Sequence, residues 1–359
     1  MTTTHDVEFR PVLVPSDAHG ADAADFRRMT AIRNDVYREI SGFDDQRISP
    51  EELLPVYRPD EHQRRYLWLV LVGGEVAGRI GLDIPLEEGS RTAYGLIELS
   101  RSVWGRGVGT QAHALFETGA RAAGRSILQT WVEHPAAAGE QLTPPTGFGH
   151  LPRDHAARFL LRHGYTLEQV VRVSAYDMGA PVADLRAHLA EAERAAAGYR
   201  VLQWTLPTPE AAVAGYAWMK SRMSTDAPSA GLVSDEEVWD DDRLRAHDAR
   251  YIDGGRTMLV TAAEHIATGE LCAFNELVIG TDGSAASSQE DTLVLASHRG
   301  HRLGMLVKAA GLLAWRDVAP RSPRVTTYNA EENRPMLDIN EALGFVPRSY
   351  EGAWKKVLI

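Results

Sequence analysis

A single cysteine, Cys272, stands among 359 residues. No intramolecular disulfide can form, a cysteine-based metal cluster is excluded, and a reducing compartment fits. Long apolar runs are also missing: nowhere do about 18 apolar residues follow one another, which argues against a membrane-spanning helix. The start, MTTTHDVEFR, lacks the basic flank and apolar stretch of a secretory leader, so cytoplasm is the expected location. Positive charge is in deficit, with 38 Lys and Arg against 49 Asp and Glu and a net charge of −11. A nucleic-acid partner calls for a basic surface and is not expected. The acidic balance favours a cationic substrate or serves solubility alone. No Gly-Lys-Ser/Thr follows a Gly-rich turn, which rules out a Walker loop, and no metal is expected.

What is present is a globular chain long enough for two cores, with 44% hydrophobic and 24% charged residues. An internal repeat supports this division. Residues 103–110 read VWGRGVGT and residues 298–305 read HRGHRLGM; each follows a β-like run, 93–99 or 291–295, and opens a helical pattern. Val108, Ala112, Leu115 and Phe116 fall at helical spacing, as do Leu303, Leu306, Val307 and Ala310. Further on, each half shows a helical pattern ending in Gly-aromatic, at Gly164-Tyr165 and Gly344-Phe345. Gly109 and Gly304 stand 195 positions apart, and Gly164 and Gly344 stand 180 apart. The surplus of 15 residues falls in the Pro- and Gly-rich stretch 134–152, read as a long loop.

Upstream, the first half offers strands near 7–14, 66–72 and 76–84 and helices near 24–40 and 50–64. The second offers strands near 199–204, 258–262 and 271–278 and helices near 209–222 and 235–251. The Ala-rich, mixed-charge stretch 182–197 suits an exposed connecting helix. The expected division is residues 1–180, a connector at 181–198, and residues 199–359.

A strand that passes through Gly-x-Gly into a helix N-terminus offers unpaired N–H groups and the positive end of a helix dipole to an anion. Gly105, Gly107 and Gly109 supply the close approach in the first half, with Arg106 as a charge. Gly300 and Gly304 do so in the second, flanked by Arg299, His301 and Arg302. Both turns come late in their halves, unlike a dinucleotide fingerprint in a first βα unit.

Residues 299–304, Arg-Gly-His-Arg-Leu-Gly, resemble the Arg/Gln-x-x-Gly-x-Gly/Ala signature of the GNAT acetyltransferase superfamily, and the order of elements in both halves is similar to that family's. The resemblance implies an α/β (α+β) chain of two tandem GNAT-like domains, each a mixed, mostly antiparallel sheet flanked by helices. It also implies acetyl-CoA or another acyl-CoA as donor. Two departures stand out: Trp104 where the signature has Arg or Gln, and Arg302 at the first Gly position.

By the same resemblance the backbone N–H groups of Val294 and Leu99 face the oxyanion. Arg299, Gly300, His301, Arg302, Leu303, Gly304 and Met305 cradle the coenzyme, with Arg106, Gly107 and Gly109 as the first-half counterpart. Asn329 and Asn333 lie along the coenzyme arm, Asn333 serving equally as an N-cap. The family's usual acid, a Tyr four residues before the Gly of Gly-Phe, is replaced by Asn340 and by Leu160. Tyr328 and Tyr350 are alternative donors. Glu276, Glu290 and Asp291, with Glu98 in the first half, are candidate bases, and Asp291 is preferred because it begins the strand into the cofactor loop.

The second half, with Arg299, Asn333 and compact spacing, is expected to be catalytic and the first non-catalytic. The expected activity is an acyl-CoA-dependent N-acyltransferase, most simply an N-acetyltransferase, acting on a small-molecule amine. The alternative is a non-catalytic acyl-CoA-binding sensor or scaffold. A transfer-RNA-dependent aminoacyl transferase would need a basic surface in place of two Gly turns. The acidic stretch 225–242 is a candidate acceptor loop, and the chain is expected to be a monomer or homodimer.

Overall fold

The computed structural model describes residues 6–226, 228–233 and 235–358. Residues 1–5 of the start, and residues 227 and 234 of the acidic stretch, lie outside the described residues. In chain order the elements begin with β1 (Val7–Pro11), α1 (Ala24–Ser41), α2 (Pro50–Tyr57), β2 (Gln63–Val72), β3 (Glu75–Pro85), β4 (Thr92–Leu99), α3 (Val108–Ala122) and β5 (Ile127–His134). They continue with β6 (Gln141–Leu142), β7 (Leu151–Pro152), α4 (His155–Arg162), β8 (Thr166–Asp177), α5 (Ala183–Ala195), β9 (Tyr199–Thr205) and α6 (Glu210–Asp226). The last are α7 (Asp241–Asp253), β10 (Thr257–His265), β11 (Glu270–Ile279), β12 (Ser287–Val294), α8 (Leu303–Val318), β13 (Arg324–Ala330), α9 (Arg334–Leu343) and β14 (Val346–Val357).

The chain divides into two compact units. Unit 1 holds Met1–Val170, Ala230–Asp235 and Ser349–Ile359; unit 2 holds Val171–Ser229 and Glu236–Arg348. A cut at 180 and 198 leaves residues 171–180 with the first half and 349–359 with the second, and tertiary packing assigns both stretches the other way. The reason lies in strand pairing. In unit 1 the order is β1-β2-β3-β4-β5-β14, closed by the far end of the chain, where Tyr350 faces His134 and Val357 faces Ile127. In unit 2 the order is β8-β13-β12-β11-β10-β9, and Tyr328 faces Val173. Helix α5, read as an exposed connector, instead packs on α8 within unit 2 and buries Leu185 and Ala192. The stretch 134–152 carries a small β6-β7 hairpin.

Local chemistry explains the entry to the unit 1 site. Ser49 accepts from the Glu52 N–H at 3.2 Å while Glu52 accepts from the Ser49 N–H at 2.8 Å, a reciprocal cap with Pro50 in the first turn. The helix predicted over 50–64 ends at Tyr57, where Arg58 leaves helical backbone with ψ 142°, and residues 63–72 form β2. The core of unit 1 centres on Ile80, Leu82, Val108, Ala112, Phe116 and Trp354. Helix α3 approaches β4 closely at Gly95, where a Cβ would lie 1.9 Å from the Phe116 ring. Deleting a ring so deeply buried costs about 3–5 kcal/mol.

Candidate active site

Both units open their sheet at the same place. Strands β4 and β5 pair in parallel only from Thr92–Ile127 to Tyr94–Gln129, and β12 and β13 only at Ser287–Val325 and Ser288–Thr326. Beyond those pairs each central strand loses a neighbour. The Ser100 N–H bonds the Ala77 carbonyl at 2.9 Å, and Gly78 sits opposite Leu99. N–H directions alternate along an antiparallel edge, so the Leu99 N–H faces away from β3 into the gap. Val294 is placed alike, since the Leu295 N–H bonds the Cys272 carbonyl at 2.9 Å and Ala273 sits opposite Val294.

The residue read as a departure from the signature turns out to share its neighbour's role. Trp104 Nε1 donates to the Leu99 carbonyl at 2.9 Å, and at the equivalent position 195 residues on, Arg299 Nε donates to the Val294 carbonyl at 3.3 Å. Each donor occupies the carbonyl beside the inward N–H and so removes an acceptor that would repel an anion. Trp104 also stacks on His155 at 4.3 Å between ring centroids.

After Trp104 the unit 1 turn enters α3 through Gly107, which has φ +81° and acts as an N-cap without a side-chain bond. The first helical bond runs from the Gln111 N–H to the Gly107 carbonyl, so the N–H groups of Val108, Gly109 and Thr110 lack partners within the helix. No atom lies within 4 Å of a Cβ built on Gly105 or Gly107, and Arg106 and Thr110 are exposed. These features suit the phosphates of coenzyme A.

The turn borders a cavity of about 600 Å³ lined by Leu99, Trp104, Gly107 and Gly109 on one side and by three carboxylates, Asp83, Glu98 and Glu133, on another. Glu98 is engaged by Arg79, whose Nε and Nη2 reach it at 2.5 and 2.9 Å, so it is not a free base. Burial pushes Asp83 up to about 6, against the opposing pull of Arg65 and Arg79. Burial also raises Glu133, whose Oε2 is buried without a hydrogen-bond partner. Across the β5–β14 ladder Glu133 faces Glu351, which burial and then Glu133 itself push up to about 7. His113 also lines the cavity; burial holds it down to about 4, and its Nε2 is buried without a partner. Leu160, where the family's acid is expected, lines the same cavity as a hydrocarbon.

Unit 2 spends its counterpart groups on internal contacts. Arg302 adopts φ +56° and its Nη1 pairs with Glu191 of α5 at 3.1 Å, an exposed ion pair. His301 lies against the Tyr199 ring at 5.4 Å. Arg299 and Gly300 are exposed, but Leu303, Gly304 and Met305 are buried, whereas Thr110, the equivalent of Met305, is exposed.

The preferred bases are not free either. Lys220 Nζ lies 3.0 Å from Glu276 and 2.6 Å from Asp291, and Glu276, only 1% exposed, also accepts from the Tyr216 hydroxyl. Burial opposes the Lys220 charge, yet Asp291 and Glu276 raise its pKa, while burial raises Glu276. The Lys220 ammonium thus bridges both carboxylates, with Glu276 buried and the Asp291 side chain 38% exposed. Glu290 accepts from the Ser288 hydroxyl at 2.7 Å. Asn340 Nδ2 donates to Asn329 Oδ1 at 2.7 Å, tying α9 to β13, and Asn333 caps α9 without a side-chain bond. Tyr350, read as a second-half donor, belongs to unit 1, and Tyr328 remains partly exposed on β13.

The acidic stretch is also engaged. Asp235 accepts from Ser90 at 2.6 Å and Thr92 at 2.9 Å, and Asp240 caps α7. Sequence reasoning missed Asp83, Glu133, Glu351 and His113. The one available signal was a lone carboxylate, Asp83, in the apolar run 80–84 of β3; the Glu133–Glu351 pair needs β14 brought from the chain's far end.

Residues 28–139 match the acetyltransferase (GNAT) family model. A tandem GNAT protein from the clavulanic acid biosynthesis pathway is similar in structure, with TM-score 0.71 and 24% identity over 98% of each chain. So is a GCN5-related N-acetyltransferase from Sphaerobacter thermophilus, with TM-score 0.59 and 16% identity over 98% of this chain and 95% of that one. A putative acetyltransferase from Pyrococcus horikoshii has TM-score 0.52 and 10% identity over 98% and 90%. No curated protein matches the sequence. No described helix is long and apolar enough to cross a membrane. The match to the acetyltransferase (GNAT) family model lies in unit 1, the unit that holds the open turn and the cavity, and the chain shares the fold of a tandem GNAT protein over nearly its whole length.

Proposed function

We propose that this protein transfers an acyl group, most simply acetyl, from coenzyme A to a small-molecule amine, and that the reaction takes place in unit 1 rather than in the second half. The observation that carries this reading is the cavity of about 600 Å³, which joins an uncapped helix N-terminus to three carboxylates. Bound acyl-coenzyme A supplies the activated thioester. Val108, Gly109 and Thr110 offer their N–H groups to its phosphates, and Arg106 adds a positive charge.

The Leu99 N–H faces the gap where a donor stabilises charge developing on the acyl oxygen. Glu133, with its unpartnered Oε2, accepts from the incoming ammonium, and Asp83 takes a proton from it so that the neutral amine can attack. Leu160 cannot return a proton to the leaving sulfur. A thiol pKa of about 8.5 makes the thiolate an adequate leaving group without one.

Unit 2 is the non-catalytic partner in this reading, supported by Lys220 between Glu276 and Asp291 and by the burial of Gly304 and Met305. The test is free-thiol release from acetyl-CoA with a panel of cationic amines, comparing Gly107→Val with Gly300→Val. Loss in the first variant alone is expected. Loss in the second alone returns the reaction to unit 2, and coenzyme binding with no thiol release from any amine favours the sensor reading.

A further inference from the structure

We infer that unit 2 carries a zinc(II) site formed by Glu270, Cys272 and His298, at the base of its glycine turn. The ligand atoms of these three side chains all lie within 4.8 Å of one another, and His298 Nε2 is 3.3 Å from Glu270 Oε2. A thiol, which now donates to the Glu270 carbonyl at 3.2 Å and would bind as the thiolate, together with an imidazole and a carboxylate forms a donor set suited to zinc, with a fourth position left for water. A single cysteine is no obstacle, because a mixed site needs only one thiolate.

The imidazole is already oriented as a ligand. Tyr199 Oη lies 2.9 Å from His298 Nδ1, which fixes the ring and turns Nε2 towards the other two groups. Such a partner on the remote nitrogen is the usual support of a metal-bound histidine. The site is also reachable: Glu270 is exposed and His298 half-buried, whereas Cys272 forms the buried floor.

The repeat supplies an internal control. Shifting Glu270, Cys272 and His298 back by 195 positions gives Glu75, Ala77 and Val103 in the same elements of unit 1. The fold therefore does not itself call for the triad; unit 2 has a thiol and an imidazole where unit 1 has hydrocarbon. The Cys272 carbonyl accepts from the Leu295 N–H, and the Leu295 carbonyl accepts from the His298 N–H, both at 2.9 Å. A metal here would clamp the start of β11 to the turn that leads into Arg299 and Gly300. On binding, the Cys272 thiol proton passes to solvent as the sulfur–zinc bond forms, with no change of oxidation state.

The test uses the full chain stripped with a chelator and titrated with zinc(II) against a chromophoric competitor, then with cobalt(II) followed by absorbance. One zinc per chain is expected, with a thiolate-to-cobalt charge-transfer band that vanishes in Cys272→Ser. Tyr199→Phe weakens binding about tenfold, and His298→Gln weakens it further. Circular dichroism of each variant separates loss of a ligand from loss of fold. Zinc binding of unchanged affinity in folded Cys272→Ser and His298→Gln, or no binding tighter than in those variants, overturns the site.

Discussion

Asp83→Asn is the substitution that bears most directly on the chemistry. Burial pushes the Asp83 carboxyl up to about 6, so at pH 7.5 the ionised form, able to accept a proton, predominates. The amide keeps the shape of the side chain and cannot act as a base. Because the folded environment disfavours the charged form, the neutral variant is not expected to unfold. Loss of a positioned base lowers kcat by roughly 100-fold or more.

The wild-type kcat/KM, measured by thiol release between pH 5 and 9, should fall about tenfold per pH unit below 6. The limb is acidic because protonation of the carboxylate abolishes the base, and an aliphatic amine acceptor titrates much higher, near 10. In Asp83→Asn that limb should disappear while the KM for acyl-CoA stays within about twofold, since Asp83 lies away from the phosphate turn. A variant that keeps both the limb near 6 and the wild-type kcat refutes the assignment.

The remaining predictions concern the supports of the two units. Trp104→Phe removes the bond to the Leu99 carbonyl, worth about 0.5–1.5 kcal/mol, and should raise the KM for acyl-CoA, whereas Trp104→Arg, mimicking Arg299, should largely restore it in the same assay. Lys220→Met leaves Glu276 buried beside Asp291 without a cation and should cost about 3–5 kcal/mol in urea unfolding, with Glu276→Gln in the same chain recovering part of the loss.

Lys308→Met should stabilise unit 2 by about 1–3 kcal/mol, because Lys308 Nζ is fully buried without a hydrogen-bond partner. Burial lowers the Lys308 pKa from 10.5 to about 7, so between these values the unfolded chain binds the extra proton. The wild-type penalty is therefore complete below about 7 and fades as the pH rises towards 10.5. Wild-type melting should improve with pH across that window, and the methionine variant should show a flatter profile.

The tandem arrangement was legible because Gly-rich turns and the apolar spacing of Val108, Ala112 and Phe116, repeated at Leu303 and Val307, are local properties that chain order preserves. The glycine turn into α3 was legible for the same reason, since Gly107 caps α3 whatever packs elsewhere. The roles of the side chains were not. Trp104 departs from the signature in residue type, yet its indole N–H donates to the Leu99 carbonyl, and Glu276, a candidate base by residue type, is paired with Lys220.

His113 and Lys308, equivalent positions on α3 and α8, show how burial alone sets protonation, since both are depressed chiefly by desolvation. The carboxylate pair Glu133 and Glu351 comes from positions 218 residues apart and exists only because β14 returns to close the first sheet. Sequence alone determined the order of elements and the two glycine-rich turns into α3 and α8, which depend on backbone freedom and short-range periodicity. Tertiary structure decided which carboxylates line the unit 1 cavity and which meet a close cation, because desolvation and charge pairing depend on neighbours that are distant along the chain.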